Sequence, residues 1–217
     1  MADTDVMSTR VDGPAPIRNE PVQARSTARL AALLDAAAHV IDEIGYERLT
    51  TAMVADRAGA SIGTVYRYFP DRIAVLQSLA ARNAERIGER ALAELKDRRH
   101  EGWEAALEAG FDVVTAAFRS EPGFASLRFG DVLDLRPFVG VPALRLFSDR
   151  AVVVMVDRFA MSDSSEARLT MQSVLTLADA IAADAFQRDP HGDAAILRHA
   201  IVAANSLLKE YFPASVR

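Results

Sequence analysis

The sequence contains no cysteine among its 217 residues. Disulfide scaffolds, thiol nucleophiles, cysteine zinc sites and iron–sulfur clusters are therefore excluded. The longest uninterrupted apolar run, residues 151–156, is far shorter than the roughly 20 residues that a membrane-spanning helix needs. The first residues include Asp3 and Asp5 and lack the apolar stretch of a signal peptide. These absences predict a cytoplasmic protein that does not associate with a membrane.

Positive charge is also scarce, because 25 Lys and Arg residues face 30 Asp and Glu residues, for a formal charge of −5. An overall basic surface for nucleic acid is excluded, although a local basic patch is not. Apolar residues make up 50% of the chain and charged residues 25%. This composition is typical of a globular protein with one sizeable core or two modest ones.

No clear strand pattern is present, and apolar residues recur at spacings of three and four almost throughout. Residues 1–25, interrupted by three prolines, are predicted to form a flexible arm. The candidate helix caps are Thr50 or Thr51, Ser61, Asp71, Asp163 and Asp193. The sequence therefore predicts an all-α fold of about nine helices. After the arm, the chain is predicted to divide into two domains, residues 26–75 and residues 76–217.

The stretch 45–74 contains two short predicted helices joined by a tight turn at Gly59-Ala60-Ser61. Val65 and Phe69, four residues apart, are predicted to face inward. The opposite face of the second helix then carries Gly63, Thr64, Arg67 and Tyr68. Residues 60–70 contain no acid. A short helix with such a face fits the major groove of B-DNA, which is about 12 Å wide.

The run T-x-x-x-V-A-x-x-A-G-A-S-x-G-T-V-Y-R-Y-F-P-x-R, beginning at Thr50, resembles the DNA-binding domain of the TetR family of bacterial transcriptional regulators. The resemblance covers residues 26–75. It implies an N-terminal helix-turn-helix domain, a C-terminal effector-binding and dimerisation domain, and a homodimer that binds a near-palindromic operator in double-stranded DNA. Release by a small effector is implied as well, and we expect a repressor.

The resemblance also implies which residues lie at the DNA. Thr50 and Thr51 begin the helix that crosses the DNA backbone, and the DNA surface carries Ser61, Gly63, Thr64, Tyr66, Arg67, Tyr68 and Arg72. Many family members have histidine at the position of Tyr68, and a polar or basic residue at that of Ile62. Ile62 is expected to contact a thymine methyl group or no base.

Side-chain chemistry suggests the roles of these residues. The hydroxyls of Thr64, Tyr66 and Tyr68 suit phosphate oxygens, which position a protein without reading sequence. Arg67 suits either a guanine edge or a phosphate, and Arg72 a phosphate.

An enzyme is the first alternative, because residues 59–63 match the G-x-S-x-G motif of serine hydrolases. That motif requires a preceding strand, and none is predicted. The four histidines show no metal-ligand spacing. We therefore expect no enzymatic activity, no metal and no cofactor. The alternatives that stay open are a small all-α enzyme and a helical adaptor that binds protein instead of DNA.

A group of large side chains in the predicted fifth to seventh helices suits either an apolar effector pocket or an ordinary core. The candidate pocket residues are Trp103, Phe111, Phe118, Phe124, Arg128, Phe129, Phe138, Phe147 and Met155. Arg128 either orients a ligand or belongs to a solvated loop. The segment 120–142, rich in glycine and proline, is a candidate link between the pocket and the start of the fourth helix.

The last two predicted helices have wider apolar surfaces than one intramolecular face needs. Small alanines allow helices to approach closely, so a two-fold interface is predicted. The alternative is a buried intramolecular hairpin. The candidate interface residues are Ala178, Ile181, Ala182, Ala185, Ala200, Ala203, Ala204, Leu207, Leu208 and Tyr211.

Overall fold

The structure, a computed structural model, describes residues 20–129 and 143–213. These residues form nine α-helices, two short 3-10 turns and no strand. The helices are α1 (Glu20–Ile44), α2 (Thr51–Arg57), α3 (Ile62–Tyr68), α4 (Arg72–Lys96), α5 (Trp103–Ser120), α6 (Phe124–Phe129), α7 (Ala143–Phe159), α8 (Ser165–Arg188) and α9 (Ala194–Leu208). The prediction of an all-α fold with about nine helices is confirmed.

Helices α2, α3, α4 and α9 begin at the predicted caps. The hydroxyl of Thr50 accepts from the amide of Met53 at 3.2 Å, and the carboxylate of Asp71 accepts from Ala74 at 2.8 Å. Asp193 caps α9 in the same way. Such caps satisfy amides that have no partner within the helix.

Two predicted boundaries were wrong. Helix α8 is capped by Ser164, whose hydroxyl accepts from the amide of Ala167 at 3.1 Å, and not by Asp163. The carboxylate of Asp163 instead forms an ion pair with Arg168 at 2.5 Å. At the N-terminus, α1 begins at Glu20, so residues 20–25 of the predicted arm are helical. Pro21 is compatible with this because the first turn of a helix leaves its amides unpaired. The rest of the predicted arm lies outside the described residues.

Helices α1–α4 share one hydrophobic core. Leu33, Ile41, Val54, Val65 and Leu79 are all fully buried in it. Burial of large aliphatic side chains contributes about 1.5–3 kcal/mol each relative to exposure. The two short helices α2 and α3 are therefore held by packing on α1 and α4 and not by their own length.

The long helix α4 belongs to two packing units. Its first turns lie in the core of α1–α3, whereas Leu92 and Leu95 lie in a second core with α5, α7, α8 and α9. The predicted domain boundary at residue 75 thus falls within a continuous helix of 25 residues. A third, smaller cluster is organised around Phe118, which stacks on Phe186 at 4.5 Å. None of the described helices is both long and apolar enough to span a membrane.

Candidate nucleic-acid interface and ligand cavity

The turn between α2 and α3 fixes the direction of α3. Gly59 has a φ of +57°, a conformation that glycine adopts without the steric cost of a Cβ. The amide of Ala60 donates to the carbonyl of Ala55 at 2.9 Å, which closes the turn. Val65 and Phe69 are 0% and 2% exposed, as predicted, so one face of α3 is anchored in the core. The opposite face is consequently directed outward.

The outward face of α3 carries most of the predicted DNA contacts. Ile62 is 44% and Tyr66 is 53% exposed, and Gly63 and Arg67 are exposed beside them. A Cβ at Gly63 would meet only the hydroxyl of Ser61, at 3.9 Å. The backbone here therefore presents an unobstructed surface to a groove. Thr64 and Tyr68 are half-buried at its margin.

Hydrogen bonds hold several of these side chains in place. The Thr51 hydroxyl donates to the Tyr66 hydroxyl at 3.3 Å. The hydroxyls of Ser61 and Thr64 are 2.9 Å apart. Tyr66 thereby connects the start of α2 to the exposed face of α3, and the two helices present one joined polar surface.

The exposed arginine of α3 is not neutralised by an acid in the described chain. The Arg67 guanidinium lies over the ring of Tyr68, with 5.2 Å between its central carbon and the ring centroid. A hydrogen bond from Ser26, and then the neighbouring guanidinium of Arg67, lower the pKa of the Tyr68 phenol. In contrast, Arg57 on α2 pairs with Glu43 at 2.5 Å. The positive charge of Arg67 on α3 is thus available to DNA, whereas that of Arg57 on α2 is compensated by Glu43.

Arg72 was predicted to contact a phosphate, and the structure shows it bonded to backbone carbonyls of its own chain. Its Nη1 donates to the carbonyl of Glu47 at 2.8 Å and lies 3.5 Å from that of Tyr46. The side chain is half-buried and ties the first turn of α4 to the 3-10 turn that follows α1. A contact with phosphate stays a prediction for this residue, whereas the anchoring contact is present in the structure.

A second feature is a cavity of about 380 Å³ lined mainly by α4, α5, α7, α8 and α9. Of the predicted pocket residues, Phe111, Phe124 and Phe147 line it. Trp103 stacks instead on Phe212, and Phe118 and Met155 pack in the cores. The side chains of Arg128, Phe129 and Phe138 lie outside the described residues.

The small residues of the last two helices face the interior more than the sequence suggested. Ala178, Ala200 and Ala204 line the cavity, and Ala182, Ala185 and Leu208 are buried within the chain. Helical periodicity identifies an apolar face but not what covers it. Ile181, Ala203 and Tyr211 are half-buried, and Leu207 is exposed. The outer faces of α8 and α9 also expose Leu177 and Val202.

Helix α6 joins the cavity to the DNA-binding part. Leu127 lines the cavity and also belongs to the core of α1–α4. The amide of Gly123, just before α6, donates to the carboxylate of Asp42 in α1 at 3.0 Å. Arg90 and Arg86 of α4 form ion pairs with Glu121 at 2.7 and 3.3 Å. The segment 120–142 was predicted to link the pocket to the start of α4. Its described part instead contacts α1 and the middle of α4. Residues 130–142 lie outside the described part.

Comparison with protein families identifies both parts of the chain. A model described as "Bacterial regulatory proteins, tetR family" matches residues 33–79. A second, described as "Tetracyclin repressor-like, C-terminal domain", matches residues 101–211, which is more than half of the chain. The chain belongs to the TetR family. It is therefore a DNA-binding transcriptional regulator and not an enzyme.

Individual relatives agree with this assignment. A TetR-family regulator from Streptomyces coelicolor has a TM-score of 0.71 and 31% identity, covering 86% of this chain and 98% of that one. AlkX, a transcriptional regulator of Mycobacterium tuberculosis, is 27% identical over 79% of this chain and 83% of its own length. The repressor KstR of Rhodococcus jostii is 43% identical over 58 residues, 27% of each chain. This chain thus matches only about a quarter of the length of that repressor.

Three residues of this TetR-family chain that contact the DNA-binding surface or line the cavity were not predicted from the sequence. Ser26 holds the Tyr68 hydroxyl at 3.2 Å, Leu127 lies between the cavity and the first core, and Asn83 lines the cavity from α4. Only Asn83 had a readable signal, because it is a polar residue on the apolar stripe that includes Leu76 and Ile87. The other two depend on contacts between elements distant in sequence.

Proposed function

We propose that this chain is a dimeric repressor that binds a near-palindromic operator and is released by a small, largely apolar ligand. The observation that carries the proposal is the sharing of α4 and Leu127 between the cavity and the core beneath α3. A change in the cavity therefore acts on the same elements that hold the recognition helix in place.

DNA binding is attributed to the exposed face of α3. Arg67 supplies a guanidinium that can read a guanine edge in the major groove, and Tyr66 supplies a hydroxyl for phosphate. The amides at the start of α2 are a further source of phosphate contacts. With two copies of this surface, the recognition helices contact half-sites roughly 34–36 Å apart.

The dimer is attributed to the outer faces of α8 and α9. Leu177, Val202 and Leu207 are 40%, 55% and 44% exposed there. Ile181, Ala203 and Tyr211 are half-buried and contribute at its edge. Large apolar side chains grouped on two adjacent helices favour a self-complementary interface of the kind that two-fold dimers use.

Release is attributed to ligand binding in the cavity. Its volume of about 380 Å³ falls within the range of about 300–1,000 Å³ that small-molecule sites occupy. A ligand changes DNA affinity only if it binds the two dimer geometries with different affinity. Contacts with Phe124 and Leu127 of α6, and with α4, provide that difference, because both helices pack on α1.

The sign of regulation rests on relatives. KstR proteins, which resemble this chain at 42–43% identity over 55–58 residues, are named transcriptional repressors. That similarity supports a repressor.

Selection of bound sequences from random duplex DNA tests the proposal, and a two-fold symmetric site is expected. With that site, Arg67→Ala is expected to weaken binding by about 1–3 kcal/mol, roughly 5- to 150-fold. Arg150→Ala is the matched control, because it removes the same charge from an exposed ion pair with Glu89 and is expected to leave affinity within about two-fold. Equal affinity of all three proteins would exclude α3 as the reading element.

A further inference from the structure

Asn83 is a buried polar residue in the wall of the cavity. It lies near the middle of α4 and is 6% exposed. Thr115, which is buried to a similar degree, donates to the carbonyl of Asp112 at 3.0 Å. Asn83 forms no hydrogen bond with any other residue that the structure describes, although its side chain lines the cavity.

The Asn83 amide is therefore available to a molecule in the cavity. An asparagine amide carries two N–H donors and an oxygen acceptor. On a wall that is otherwise largely apolar, such a group can fix the orientation of an occupant. Asparagine is also a poor helix former compared with leucine or alanine. Its neighbours on the stripe, Leu76, Leu79 and Ile87, are apolar and buried, so nothing in the packing of α4 requires an amide there.

The rest of the described wall limits the chemistry of the occupant. It contains one ionisable side chain, the carboxylate of Asp179, and no lysine, arginine or histidine. An anionic ligand would lose its hydration there and would find no cation on the described wall. The other lining residues are apolar, and Phe111, Phe124 and Phe147 contribute aromatic surface. The described wall therefore favours an occupant that is uncharged and mostly apolar.

We propose that the cavity binds an apolar alcohol and that the Asn83 amide holds its hydroxyl group. A hydroxyl both donates and accepts, so it pairs with the amide oxygen or with the amide N–H groups, whereas an ether oxygen only accepts. The apolar body of the molecule occupies the space between α4, α5, α7 and α8. This inference rests on the proposed ligand-responsive function and assigns Asn83 as its specificity-determining residue.

The test compares two constitutional isomers, 1-octanol and 1-methoxyheptane, which have the same atoms but differ in the hydroxyl donor. Binding to the full chain is measured by calorimetry, with octanoate as a third probe at pH 7. We expect 1-octanol to bind about 10-fold more tightly than the ether, the size of one net hydrogen bond. Octanoate is expected to bind at least about 10-fold more weakly than 1-octanol, because its carboxylate loses hydration against a largely apolar wall.

Variants identify the group responsible. Asn83→Leu is expected to bring the two isomers within about two-fold of each other, and Asn83→Ala is a second variant should leucine prove too large. Leu107→Met is the matched control, since it changes another lining residue at nearly constant volume and is expected to keep the preference. Equal binding of the isomers to the wild type, no binding of any probe, a preference that survives in both Asn83 variants, or octanoate binding as tightly as 1-octanol would each overturn the inference.

Operator affinity, measured in parallel at saturating 1-octanol, separates this inference from the proposed function. If the preference depends on Asn83 and DNA affinity does not change, release by this ligand fails while the alcohol site stands. If DNA affinity falls with any ligand but the preference is absent, the assignment of Asn83 fails and the regulatory proposal stands.

Discussion

Gly123, at the turn between α5 and α6, is the position where one added methyl group should most clearly disturb the junction of the two units. Its φ is +70°. A Cβ built there lies 2.9 Å from the carbonyl oxygen of Ala38 and 3.1 Å from a methyl carbon of Ile41. Both neighbours belong to α1 and cannot move independently of it. Gly123→Ala therefore combines a strained backbone with an overlap against a rigid helix.

The magnitude follows from these two contributions. A left-handed conformation costs a non-glycine residue roughly 1–2 kcal/mol. Overpacking in a well-packed site costs typically about 1–3 kcal/mol more. We therefore expect Gly123→Ala to lower the free energy of unfolding by about 2–5 kcal/mol.

Gly59→Ala is the matched control. Gly59 also has a positive φ, +57°, but a Cβ there meets no atom within 4 Å. It should show only the backbone strain, so the two variants should differ by about 1–3 kcal/mol, the range for overpacking. For a chain of this size that corresponds to roughly 2–12 °C in melting temperature.

Thermal unfolding followed by circular dichroism, at one protein concentration because association shifts the midpoint, measures this difference. If Gly123→Ala and Gly59→Ala melt at the same temperature, the close packing of the α6 turn on α1 does not contribute as described. The proposed route from the cavity to the DNA-binding part would then lose its physical basis.

Two further predictions concern pH and assembly. Hydrogen bonds from His100 and then Arg99 lower the pKa of Glu94 from its ordinary value of 4.5; the stabilisation is therefore present above that value and lost as pH falls through the lowered pKa. Melting temperatures should show Glu94→Gln less stable than the wild type at pH 6, with a difference that shrinks as the pH is lowered below 4.5, and a difference independent of pH would contradict this. Val202→Glu should convert a dimer to a monomer in analytical ultracentrifugation, because Val202 is 55% exposed on the outer face of α9, whereas Val153→Glu, at a side chain 51% exposed on α7, should not. Dissociation by both variants, or by neither, would place the interface elsewhere.

Local sequence determined the helices and the recognition surface. Caps such as Thr50 and Ser61 act on amides two or three residues away, so a single sequence is enough to locate them. Val65 and Phe69, four residues apart, define the inner face of α3 and hence the outer face that carries Arg67. The resemblance to the TetR family depended on the same contiguous stretch, which is why it could be predicted without tertiary contacts.

Only the tertiary structure decided what packs against the apolar faces of α8 and α9. The stripe of α8 and α9 that includes Ala182 and Ala204 was predicted to face a second subunit, yet it faces the interior and the cavity. Periodicity fixes which residues share a face, but the partner of that face depends on how distant helices pack. The role of Asn83 could not be predicted for the same reason, because the sequence does not show that the packing of five helices leaves a cavity beside this residue.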